Sequence, residues 1–115
     1  MSCWRNLVAY LPYTVHSDTG DTFDIEFPLN EHTEDSVRVH QLLTTVLNTV
    51  AQDLKVVGGA SNGDILQALS MALAVRTRMI HAPESTMRSI VSNLNDVALA
   101  ACYEADRQSD PAGHG

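Results

Sequence analysis

The chain has 115 residues, the length of one ordinary domain, and folding at that size buries roughly 65% of the unfolded surface, enough for a core without staples. Fourteen carboxylates against seven lysines and arginines leave a formal charge of minus seven, a field that repels phosphate backbones and argues against a nucleic-acid partner. Two cysteines, Cys3 and Cys102, do not make a disulfide-framed scaffold and read as free thiols.

The opening residues Met1-Ser2-Cys3-Trp4-Arg5 lead into a patch broken at Pro12. They lack the long apolar run and small-residue cleavage site of an export signal. The expected location is cytoplasmic.

From Leu7 to Val15, apolar residues fall on both faces of a period-two pattern, which reads as a strand. Pro12 cannot donate to a ladder and confines that part of the strand to an edge or bulge. After the polar stretch 17–21, residues 22–29 put Phe23, Ile25, Phe27 and Leu29 on one face and Asp24, Glu26 and Pro28 on the other. Two strands about a short turn in which Gly20 supplies positive φ predict an antiparallel hairpin with one apolar and one acidic face.

From about Thr33 the period lengthens. Val39, Leu42, Leu43, Val46, Leu47, Val50 and Leu54 recur at three and four residue steps, one helical stripe. Asn30 or Thr33 can cap its start, Glu34 and Asp35 suit the positive end of the dipole, and Gly58-Gly59 stops it. A second helix begins at Ser61 or Asn62 and carries an almost uninterrupted apolar middle until Pro83. That composition predicts the most buried of the helices. Its longest mostly apolar stretch, Ile65 to Val75, is too short to cross a bilayer, so no membrane partner is expected. A third helix starts between Pro83 and Ser85, with Met87, Ile90, Val91, Leu94, Val97, Ala98, Ala101 and Cys102 on its stripe. Residues 109–115 have no large apolar side chain and read as a disordered tail.

The fold class expected is therefore α+β: an N-terminal antiparallel hairpin packed on three amphipathic helices, helix-rich, in a single domain over residues 1–108. An isolated hairpin is marginal in water, so its apolar face must lie on the helices or on another subunit. An open hairpin edge would allow pairing with a second copy across a twofold axis.

Four constellations bear on chemistry. Asp18-Thr19-Gly20 matches the tripeptide that holds the catalytic aspartate in aspartic proteases, and there the resemblance stops. In that family it follows an apolar run inside an almost all-strand fold; here it follows Val15-His16-Ser17 and precedes Asp21, in a chain that is mostly helical. Asp18, Asp21, Asp24 and Glu26 offer carboxylate oxygens to a hard cation, but their spacing is not that of a calcium loop, and solvent exposure explains them. Glu31 with Glu34 resembles the E-x-x-E spacing of all-helical MazG-type nucleotide pyrophosphatases, which implies Mg²⁺ and a second acidic pair. The chain offers only Asp64 and Asp96 for that pair. The alternative metal set is accordingly Glu31, Glu34 and Asp35, in a metal-dependent hydrolase or small-ligand domain. Fourth, the second and third helices could form a helix-turn-helix, yet Arg88 is the one cation on the exposed face of the recognition helix.

None of the five histidines is spaced i, i+4 from another, and no glycine loop fits a phosphate. The expectation is thus a small acidic module without a catalytic site or cofactor, which binds another protein or itself as a homodimer. The expected contact residues are Asp18, Asp21, Asp24 and Glu26, acting on a basic partner that the chain would inhibit by presenting phosphate-like charge.

Overall fold

The computed structural model describes residues 9–17 and 20–109. The element order is strand β1 (Tyr10–His16), strand β2 (Asp21–Pro28), helix α1 (Ser36–Val56), helix α2 (Asn62–Arg78), helix α3 (Glu84–Glu104) and strand β3 (Arg107–Ser109). The architecture is the expected α+β arrangement of an N-terminal antiparallel hairpin followed by three helices.

In the hairpin, Tyr10 pairs with Pro28, Tyr13 with Ile25 and His16 with Thr22. The turn is closed by bonds from Gly20 N to Ser17 O (3.1 Å) and Ser17 N to Asp21 O (2.9 Å). Gly20 has φ of +89°, a backbone state that costs a residue with a Cβ far more than it costs glycine. This register puts Leu11, Tyr13, Ile25 and Phe27 on one face and Pro12, Thr14, Asp24 and Glu26 on the other. Leu11, Tyr13 and Ile25 are buried. The Tyr13 ring lies 4.8 Å from that of His40, at the start of α1, and 6.5 Å from that of Phe27.

The sequence reading missed β3. Three polar residues carry no strand pattern, and the segment forms because β2 offers it an edge: Asp21 pairs with Ser109, Thr22 with Gln108 and Phe23 with Arg107. The sheet order is β1-β2-β3. Ser109, expected in the tail, is the last residue of this strand, while 110–115 lie outside the described residues, as do Leu7 and Val8 of the expected first strand.

The helix ends follow local chemistry. The α1 cap is Asp35 instead of Asn30 or Thr33: its Oδ1 accepts from Arg38 N at 3.1 Å, satisfying one of the orphan donors of the first turn. Asn30 is used one turn earlier, accepting from His32 N through its side chain and from Thr33 N through its carbonyl. Gly58, at φ +139°, ends α1 as expected. Ser61 caps α2 by accepting from Asp64 N at 3.1 Å. Pro83 precedes α3, its carbonyl accepting from Met87 N, a position where proline's missing N–H costs nothing.

The chain divides into two compact units, Met1–His40 with Val91–Gly115, and Gln41–Ile90, with boundaries inside α1 and α3. The first holds every buried apolar residue described: Leu11, Tyr13, Ile25 and Ala101. The second holds none. Within it, α2 was expected to be the most buried helix; instead it has no buried residue, and only Ile65, Leu69 and Thr77 are half-buried. An all-round apolar composition says that a helix must be covered, not that its own chain supplies the cover.

Replacing Ile25 by Ala should lower the stability of the hairpin unit by about 2–4 kcal/mol in urea unfolding, because the side chain is 5% exposed; a loss under about 1 kcal/mol would mean that this face is not the core.

Candidate functional site

Of the three acidic hairpin residues described, two share a face and the third does not. Asp24 and Glu26 share the exposed face of β2. Asp24 accepts the Thr14 hydroxyl across the strands at 2.7 Å, and His16 Nδ1 lies 3.2 Å from Thr22 Oγ1 on the same face. Asp21 has the opposite parity, and its Oδ2 lies 3.6 Å from Arg107 Nε. Arg107 also sits with its guanidinium carbon 5.3 Å from the centre of the Phe23 ring, a cation–π contact that suits the cross-strand pairing of the two residues. Strand β3 therefore brings a positive charge to the acid at the turn. Asp18, the fourth member, lies outside the described residues.

The alternative acidic set is spread along one loop. Glu31 Oε2 is 3.6 Å from His32 Nε2, both well exposed, and Asp35 is committed to capping α1. Among the described residues no three His, Cys, Asp or Glu side chains come together as metal ligands. Arg88, the cation that a recognition helix would use, pairs with Glu84 one turn earlier at 2.6 Å.

Cys102 is a free thiol, half-buried on α3, and burial pushes its ionisation up from the ordinary thiol value. That is the opposite of the shift that activates a nucleophile. Cys3 lies outside the described residues.

The most distinctive surface is apolar. Val37, Leu42 and Val46 of α1, Leu66, Met71 and Val75 of α2, and Leu94, Leu99 and Tyr103 of α3 are among sixteen exposed large apolar residues in the described part of the chain. Some are predictable: Leu99 and Tyr103 stand off the α3 stripe. Others are not, since Leu94 is mid-stripe yet 42% exposed. Single exposed apolar side chains are ordinary; here each of the three helices carries several of them. Of these, Leu42, Val46, Leu66, Val75 and Leu94 belong to the apolar helical positions read from the sequence, and their exposure is what periodicity alone does not give. Their signal was present in the all-round apolar character of α2.

No described helix is long and apolar enough to cross a membrane. No protein-family model, curated protein or solved structure matches the chain.

Two measurements check this description. Arg107→Ala should free β3, seen as faster amide exchange at residues 107–109, with a global stability loss of no more than about 1 kcal/mol because the Arg107 side chain is largely exposed. Cys102 holds its proton more tightly folded than unfolded, so its contribution to stability is complete at neutral pH and declines as pH rises through the alkaline range above the ordinary thiol value of about 8.5. Cys102→Ser should remove that alkaline component from the pH profile of urea unfolding.

Proposed function

We propose that this chain is a protein-binding module that works through the apolar faces of its helices, with the acidic face of the hairpin steering encounter. The observation that carries this reading is that Ala101 is the one buried residue among all three described helices. Helices of 17 and 21 residues are marginal in water without tertiary cover. Each large apolar side chain taken fully out of water contributes about 1.5–3 kcal/mol, so a partner laid on these faces gains what the single chain leaves unused.

Asp24 and Glu26 support the second half of the reading. They are exposed on the hairpin, Glu26 makes no ion pair among the described residues, and the chain as a whole carries minus seven. Such a surface speeds approach to a basic partner and contributes less to holding it. Inhibition of a basic protein by phosphate-like charge is the narrower form of this function. It would show as an association rate that falls as salt shortens the screening length from about 10 Å at 0.1 M to about 3 Å at 1 M.

Hydrogen exchange tests the central claim. In dilute, monomeric chain the amides of α2 should exchange far faster than those of β1 and β2 around Leu11, Tyr13 and Ile25, and should become protected when a partner is bound. Helix amides as slow as those of the hairpin in a chain shown to be monomeric would overturn it.

A further inference from the structure

We infer that the cover on α2 is a second copy of this chain, laid antiparallel across a twofold axis that passes at Met71. This rests on the helix-face reading above and names its occupant.

The first ground is the pattern on α2. Asp64, Ala68, Met71, Val75 and Arg78 fall at steps of four and three residues, the spacing of a seam along which two helices pair. All five are exposed, with Met71 at 57% and Val75 at 55%. The half-buried Ile65, Leu69 and Thr77 lie outside the seam, so none of its five members is covered by the described residues.

The second ground is that this seam is its own complement. Between Asp64 and Arg78 the chain has one other charged residue, Arg76, one step outside the seam. Turned end for end about Met71, the seam places Asp64 against Arg78 of the other copy and the small Ala68 beside the larger Val75. A twofold interface requires this reciprocity, residue i meeting j as j meets i. The charges also suit each helix separately, acid in the first turn and base in the last. Neither Asp64 nor Arg78 makes an ion pair among the described residues, so both are available across the axis. Packed in parallel, the same seam would set Asp64 against Asp64 and Arg78 against Arg78, which opposes that alternative.

Sedimentation equilibrium of the full chain and three kinds of variant tests the proposal. Wild type at micromolar concentration should have twice the chain mass and a melting temperature that rises with concentration. Met71→Asp, which puts two like charges together on the axis, should be monomeric. Asp64→Arg and Arg78→Asp should each weaken association about tenfold, since each sets two like pairs against one another. The double variant Asp64→Arg with Arg78→Asp should recover most of the wild-type affinity. Its charges oppose the helix dipole, so recovery would come from pairing between copies and not from a steadier helix.

A dimer unaffected by Met71→Asp and by the charge exchanges, as one joined through the free edge of β1 would be, overturns the proposal. So does a wild-type chain that stays monomeric. In that case fast exchange at the α2 amides would leave the helix-face reading standing with a different protein as occupant, and slow exchange would remove both.

Discussion

Burial is the scarce quantity in this protein, and its distribution organises everything else. The hairpin unit spends its apolar residues well: Leu11, Tyr13 and Ile25 sit on one face by strand alternation and are withdrawn from water. The helical unit Gln41–Ile90 has amphipathic helices with good caps and no fully buried residue. Capping and dipole terms contribute about 1 kcal/mol apiece, too little to offset the entropy of ordering some fifty residues at 1–2 kcal/mol each. Apolar cover must supply the difference, and the bare seam of α2 is where that demand is most sharply written.

The charged residues fit the same division. Asp21 is drawn to Arg107, Asp35 to the first turn of α1 and Glu84 to Arg88, each serving a local end or turn. These exposed pairs act mainly on geometry, because solvent screens their energy. What they leave over is the open face of β2, with Asp24 and Glu26, and the two ends of the α2 seam. On the proposed function, acid at the hairpin would bear on the rate of encounter and apolar surface on the helices on how long a complex lasts.

A single sheet edge shows how a short polar segment acquires structure. Arg107, Gln108 and Ser109 have no alternation to announce a strand, yet they pair with Asp21, Thr22 and Phe23. Pairing satisfies backbone groups whatever the side chains, and the Arg107 stem and guanidinium find Phe23 and Asp21 ready beside them. The same step shields part of one β2 edge, leaving β1, interrupted by Pro12, as the outer strand on the other side.

Local periodicity by itself determined the hairpin, the three helices, the positive-φ turn at Gly20 and the stop at Gly58, because each depends on side chains a few residues apart. It also determined the chemistry of each surface, acidic on one hairpin face and apolar along every helix. Only the tertiary structure decided that β3 exists, that Asp35 and not Asn30 caps α1, that Asp21 parts company with Asp24 and Glu26, and that α2 is bare where its composition called for burial. The reason is physical: spacing shows which side chains must avoid water, but whether they do is settled by what stands opposite them, and that is a property of distant residues brought together by the fold.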